Sequence, residues 1–551
     1  MRNSEIMQPR RAGAAGGKSA KSWLRTLPLS DAGAAHHAMS AMLTTLAEAT
    51  QPARERLGWL ETVRAQAAEI DAQFARRHAD RPLPLAPGER GAFVQAQAQW
   101  RLFAAAYLRC FEDGLADRGL TGAHQALCLQ RAATYFAEAH KGHLRAGQAG
   151  GEDALEDLQR LVELAAEHGL AETRVRDSLH PKGASSVVLV YQRALLVGLA
   201  GALFPAPARD AAFELAVLWE SRLALVGAPA TWQDAASGAW PATVQAAPRQ
   251  RLRALGAGRL AHVADVARLS RGLRRRLRLA AADAGFAELR LPESWRALAD
   301  VGAHLEHLHD LWCADTDAGA TARASAGALA EAQGSALAYA AEDFAALFYM
   351  VAGAPFGMNQ AQAMSSWRRH DELFVFQRAS QARVEQQARD AAARFEDWLL
   401  LGRDGRLLRL ARRRPGARFR AGQLVAVRTD GVVVLAVTRR VAEPGSEAAG
   451  PAFGALEVDA ELIAADPAAV AVREFAPGRP AGAIWHPGFR LGTPGAAEPL
   501  ALVLPGGSYR HARLLDVRDG ERSYRVSQEA LRRRGADFEE IAVTLRVTGA
   551  G

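Results

Sequence analysis

Near residue 395 of this 551-residue chain the spacing of apolar residues changes. Upstream, apolar positions recur at the three- and four-residue steps of a helix with one buried face. Downstream, short apolar runs alternate with period two between Gly, Pro and Asp turns, as strands do when one face is wet and the other buried. A chain of this length exceeds what one core can organise. The switch therefore predicts an α+β multidomain protein, an all-α amino-terminal region followed by an antiparallel β-barrel. The expected boundaries are a tail over 1–22, a helical region over 23–390 with candidate subdivisions near 147–153 or 227–250, and a barrel domain over 391–551.

Local signals fill in this outline. Ser30 and Asp31 are positioned to cap a first long helix. EDALEDLQRLVELAAEHG (152–169) carries Leu155, Leu158, Val162 and Ala165 on one stripe and ends at Gly169, where a helix C-cap glycine belongs. VVLVYQRALLVGLAGALF (187–204) is apolar all round and reads as a central buried helix. Trp100, Phe103, Tyr107 and Phe111 recur at helical spacing and read as core. Helical pattern continues to about 390. Beyond Trp398 about nine strand-length runs follow, the cleanest placing Ile541, Val543, Leu545 and Val547 on one face. RTDG and LPGG are turns between them.

Composition narrows the class. With 49% hydrophobic and 23% charged residues the chain is an ordinary folded protein. Lys+Arg 68 against Asp+Glu 60 leaves a charge of +8, nearly all of it from Arg, which favours the approach of an anionic partner without naming one. Cys110, Cys128 and Cys313 lie far apart, against a disulfide framework or structural zinc site. No apolar run reaches the roughly 18 residues of a membrane span, and Met1 to Ala20 lacks an apolar signal core. A cytoplasmic protein without a transmembrane segment is expected.

Catalytic motifs are lacking. AGGKS (15–19) ends like a P-loop but no strand precedes it, and no G-x-S-x-G elbow occurs. His304 and His307 share a helix face while His309 points roughly 140–160° away, so two of the three could meet one ion. No catalytic residue and no metal ligand is assigned, and a non-enzymatic role is expected. RLSRGLRRRLRLAAA (268–282) sets Leu269, Leu273, Leu277 and Leu279 against Arg271, Arg274, Arg275, Arg276 and Arg278. Three readings stand for this helix: a solvated face, a contact for nucleic acid or acidic membrane, or a docking helix for an acidic protein.

FRAGQLVAVRTDGVVVLAVTRRV (419–441), ALEVDAELIAADPAAVAVR (455–473), LALVLPGGSYRHARLLDV (500–517) and GADFEEIAVTL (535–545) resemble the carboxy-terminal half of large bacterial PilZ-domain proteins. VYQRALLVGLAG (190–201) and FYMVAGAPF (348–356) extend the likeness to their long helical region. The resemblance implies a PilZ-like barrel able to take cyclic di-GMP as ligand, with no other cofactor. Such proteins use an R-x-x-x-R segment before the barrel and a D/N-x-S-x-x-G motif on an early strand. Here Arg368 and Arg369 are adjacent, and Arg378 and Arg383 are one residue wider than the motif. Arg414 and Arg418 have the motif spacing but follow the first strands. Alignment on Trp398 sets Leu400 at the acidic or amide position, Gly402 at the serine and Gly405 at the final glycine. The ligand-binding set implied is Arg368, Arg369, Arg378, Arg383, Gly402 and Gly405.

Two functional readings follow from the likeness. A signalling adaptor would sense cyclic di-GMP through the segment before the barrel and relay it to the helical region and a protein partner. A relative that kept the barrel and lost the ligand would be a constitutive scaffold. The competing class is a nucleic-acid-binding protein that uses the Arg271–Arg278 helix.

Overall fold

The computed structural model describes residues 20–48, 51–148, 151–201, 206–225, 252–255, 262–282, 284–298, 300–313, 337–341, 344–354, 356, 386, 390, 395–404, 406–412, 414–429, 431–443, 455–475, 485–493, 500–520 and 522–546. Tail residues 1–19, the candidate subdivision at 227–250 and Val547 lie outside the described residues. The chain forms two compact units, the first built mainly from residues up to Gly319 and the second mainly from Ala320 onward.

The first unit is helical: α1 (Ala20–Leu24), α2 (Ala32–Glu48), α3 (Ala53–Ala75), α4 (Pro87–Ala116), α5 (Gly122–Ala146), α6 (Gly151–Glu167), α7 (Val187–Ala200) and α8 (Ala206–Trp219). Their ends are set by local chemistry. Asp31 Oδ1 accepts from the amides of Gly33 at 2.8 Å and Ala34 at 3.2 Å, which fixes the start of α2. Pro87 opens α4, and the Glu89 carboxylate accepts from the Ala86 amide at 2.9 Å. Gly169, at φ 68°, supplies the left-handed residue that closes α6. On α3, Leu57, Leu60, Val63, Ala67, Ile70 and Phe74 are buried at helical spacing, and on α6 so are Leu155, Leu158, Val162 and Ala165.

Helix α5 is central, packing on α4, α6 and α7. Phe103 stacks on Tyr135 with ring centres 4.4 Å apart, so the aromatic stripe of α4 is core. Helix α7 buries residues all round, as its uniform apolarity demanded. Beyond α8 come a three-residue turn, Glu220–Arg222, and an antiparallel sheet of β3 (Ala224–Leu225), β5 (His262–Asp265) and β4 (Leu252–Leu255), in that order. A hairpin of β1 (Val175–Arg176) and β2 (Ala184–Ser185) precedes α7. Helices α9 (Ala267–Ala281) and α10 (Val301–Cys313) pack on each other, and α10 also touches α7.

The second unit is antiparallel β, as the period-two pattern required. Its strands close two six-stranded barrels, where the alternation alone pointed to one. The first holds β6 (Leu337–Ala341), β7 (Glu396–Asp404), β8 (Leu407–Arg412), β9 (Leu424–Thr429), β10 (Val432–Ala442) and β11 (Leu456–Ala464), in the closed order β10-β11-β8-β7-β6-β9. The second holds β12 (Ala468–Glu474), β13 (His486–Leu491), β14 (Ala501–Pro505), β15 (Leu514–Asp519), β16 (Arg522–Arg534) and β17 (Phe538–Arg546), closed as β12-β13-β14-β17-β16-β15. RTDG turns as expected: Val432 pairs with Thr429, and Gly431 takes φ 80°.

Helix α11 (Phe344–Ala352) buries Leu347, Phe348 and Met350 against Leu424 and Val437 of the first barrel and Phe489, Val503 and Phe538 of the second. One apolar cluster thus serves both barrels. On β17 the expected face is kept only in part. Ile541 and Val543 are buried, but Leu545 is 36% exposed where the strand runs out toward its end.

Candidate anion-binding cleft

The residues implied by the PilZ resemblance are unevenly placed. Arg368, Arg369, Arg378, Arg383 and Gly405 lie outside the described residues. Gly402 sits on β7 at a break in its register with β8, and a side-chain carbon there would meet no atom within 4 Å. The strand face at Gly402 is therefore open. Arg414 is exposed, whereas Arg418 donates to the Pro82 carbonyl at 3.1 Å (Nε) and 2.7 Å (Nη2). Arg412 is buried over Trp398, 5.2 Å from its ring centre, and is ion-paired with Glu396. The Arg412 and Arg418 guanidinium groups are therefore committed to structure.

The described residues hold a more concentrated constellation in the helical unit. A cavity of about 450 Å³ is lined by Arg222, Arg268, Arg271, Arg275, Arg276 and Arg290, with Gly272, Leu279, Glu288 and Leu289. Local sequence explains the convergence. On α9, positions 268, 271, 272, 275, 276 and 279 recur at three- and four-residue steps and form one face. Leu269 and Leu273 on the same helix are buried. The turn after α8 adds Arg222, while its neighbour Glu220 is buried among Ser185, His180 and Arg193, at 3.2, 3.4 and 3.9 Å. Arg290 takes a left-handed φ of 49° at the end of the short helical turn Phe286–Leu289.

Trp219 is the floor support. Arg222 and Arg276 lie over its ring at 4.2 and 4.6 Å from the centre, which orients both guanidinium groups by cation–π attraction. Gly272 is the residue that lets this assembly close. A β-carbon there would lie 3.2 Å from the Trp219 ring and collide with the Arg222 guanidinium. Arg276, 8% exposed, donates to the carbonyls of Gly272 at 3.1 Å and Arg290 at 3.3 Å, and its Nε has no hydrogen-bond partner.

Electrostatically the cleft is unbalanced. Among the described residues none of its six arginines forms an ion pair, and Glu288 is its one acidic lining residue. Burial, followed by the charges of Arg222, Arg275 and Arg290, lowers the Arg276 guanidinium to about 10. Burial lowers Arg222 as well. A concavity walled by forked donors that repel one another is what an anion with several oxygens would relieve.

The sequence grouped only part of this site. It picked out Arg271, Arg275 and Arg276 as members of a basic helix. It missed Arg222 and Arg290, which join only through tertiary packing. Of the expected histidines, His309 accepts from Arg274 at 3.3 Å and meets the Ser270 hydroxyl at 3.1 Å, and His304 Nδ1 meets the Asp300 carbonyl at 2.5 Å. No group of three or more His, Cys, Asp or Glu among the described residues is arranged to hold a metal ion. Among them, too, no helix is long and apolar enough to cross a membrane.

Comparison with known proteins bears on the helical unit. No curated protein and no solved structure matches the chain significantly. Residues 18–228, which run from before α1 through Trp219, Arg222 and β3, match the family described as the N-terminal domain of the cyclic-di-GMP receptor FimW.

Proposed function

We propose that this chain is a non-enzymatic signalling adaptor of the cyclic di-GMP receptor type. The carrying observation is the match of residues 18–228 to the N-terminal domain of such a receptor. Closed antiparallel barrels downstream agree with that reading, because the carboxy-terminal sequence resembles PilZ domains. In this reading Arg368, Arg369, Arg378 and Arg383 grip the ligand phosphates and purine edges, and Gly402 and Gly405, lacking side chains, allow its close approach. The ligand then favours one arrangement of the segment before the barrel over another. A partner protein held by the helical region reads that shift, which requires differential affinity for the two arrangements. Action in the cytoplasm belongs to the same reading.

Titration calorimetry of the full chain with cyclic di-GMP tests the proposal, repeated with Arg378→Ala and Arg383→Ala. Each lost charge-assisted hydrogen bond is expected to weaken binding about tenfold. Heat absent from the unaltered protein at every concentration overturns the receptor reading and leaves the scaffold.

A further inference from the structure

The arginine cleft lies wholly in the first unit, and nothing above assigns it a ligand. From its geometry we infer that the cleft is a second binding site, independent of the barrels, for a small ligand carrying two or more phosphoryl groups. Three features select this chemistry. Six guanidinium groups face one carboxylate, so the occupant is strongly anionic. The cavity, about 450 Å³, is larger than one inorganic anion needs and of the size of small-molecule sites. Leu279 and Leu289 give one wall an apolar edge, which suits a ribose or base attached to the phosphates.

The supply of arginines also favours a compact ligand over a nucleic-acid strand. They converge on a hollow from the turn at 220–222, from α9 and from Arg290, instead of tracking a line along one surface. Arg222 and Arg276 are already held over Trp219, so their ordering cost is met before a ligand arrives. Arg271 and Arg275 are exposed, make no hydrogen bond or ion pair among the described residues, and are free to close on it.

The cyclic dinucleotide and simple polyphosphates share this chemistry, and the test separates them. The full chain is titrated calorimetrically with cyclic di-GMP, GTP and inorganic pyrophosphate, at low and at physiological salt. The same titrations use the double variant Arg271→Ala/Arg275→Ala and, as a control, Arg378→Ala/Arg383→Ala. Both cleft positions are exposed, and melting curves establish that each variant is folded. The unaltered protein is expected to bind at least one of the three. The cleft variant should weaken that binding about tenfold or more. The control variant weakens only the separate cyclic di-GMP binding assigned above to the barrel side and leaves GTP and pyrophosphate binding as it was. Dinucleotide binding alone identifies a nucleotide site, and equal binding of pyrophosphate identifies a phosphoryl site that ignores the base. No binding of any probe overturns the inference, as does equal binding by the cleft variant. Retardation of RNA or DNA by the cleft, with no heat from the small probes, overturns it too. Cyclic di-GMP binding lost only in the control variant, with no GTP or pyrophosphate binding that depends on Arg271 and Arg275, supports the barrel-side receptor reading and removes this one. The two proposals therefore fail separately.

Discussion

Two groups of arginines in the helical unit are built in opposite ways. Around the β1–β2 hairpin, Arg64 grips Asp177 with both nitrogens, at 2.7 and 2.8 Å, and Arg131 reaches Asp177 at 3.3 Å and both oxygens of Glu61 at 3.0 Å. Tyr107 donates to the same Glu61 at 2.7 Å. Two guanidinium groups meet two carboxylates, and the group is neutral. Around Trp219, six guanidinium groups meet one carboxylate that pairs with none of them among the described residues. The second unit follows the first pattern: Arg473 and Arg525 share Asp516, and Arg490 holds Asp519. Compensation marks an arginine retained for folding. The uncompensated group around Trp219 is the one to which an anionic ligand is assigned above.

The sharpest way to break this contrast is to remove the shared carboxylate. Asp177→Ala leaves Arg64 and Arg131 buried and short of charge. That is expected to cost about 3–5 kcal/mol in urea denaturation, as breaking buried ion pairs does. The Arg64 hydrogen bonds, with the charges of Arg131 and Arg64, hold the Asp177 carboxyl down at about 2 against its burial. Its contribution is therefore present above the ordinary aspartate range and lost as pH falls from about 4 toward 2. A loss smaller than 1 kcal/mol, an order-of-magnitude bound, would mean that neutrality is incidental there.

Histidine offers a third solution to the same problem, since it can discard its charge. His36 and His78 are buried beside Phe74, with His36 stacked on its ring at 4.0 Å. Burial lowers both to about 4, helped for His36 by His78, His37 and Arg77. The folded state therefore holds fewer protons than the unfolded chain between pH 6.5 and about 4. Stability falls on acidification across that window, by up to about 1.4 kcal/mol per pH unit per histidine. Asp71, 3.7 Å from His36, works against this slope, because burial raises its carboxyl and folding then favours its protonated form. Urea midpoints measured from pH 6.5 to 4 check the sign. His78→Gln should flatten the slope by its own share, and an unchanged slope would place the proton uptake elsewhere.

How much of this was legible depends on the range over which each signal acts. The α-to-β switch, the Asp31 cap, the Gly169 stop and the buried faces of α6 and α7 are local, and the sequence displays them. The second barrel was hidden because β12 (AAVAVRE) is rich in Ala, and β13 (HPGFRL) carries Pro487 and Gly488, which ordinarily argue against a strand. Gly488 is needed there, since a β-carbon would lie 2.6 Å from Leu504. Strand β6 (LAYAA) likewise reads as helix, and only its pairing with β7 and β9 makes it a strand. The cleft shows the same limit. Its α9 arginines form a visible stripe, but Arg222 lies about fifty residues away, and no periodicity links it to them.

The smallest expected effect is the most discriminating. Arg275 is exposed and lines the cleft without a carboxylate partner among the described residues. Arg275→Ala is expected to change stability by no more than about 0.5 kcal/mol, the usual range for a surface position. The direction should be favourable, because one repelling charge beside Arg276 is removed. Salt reports the cause. Added sodium chloride screens the remaining repulsion and should raise the melting temperature of the unaltered protein more than that of the variant. Inorganic pyrophosphate should raise it further, and by less in the variant, since a ligand that binds only the folded state stabilises it by mass action. A structural arginine behaves in the opposite way: its removal destabilises, and salt weakens the attraction it supplied. Were Arg275→Ala to destabilise the fold by more than about 1 kcal/mol, the cleft would belong with Asp177 and its partners, and the contrast between the two groups would be lost.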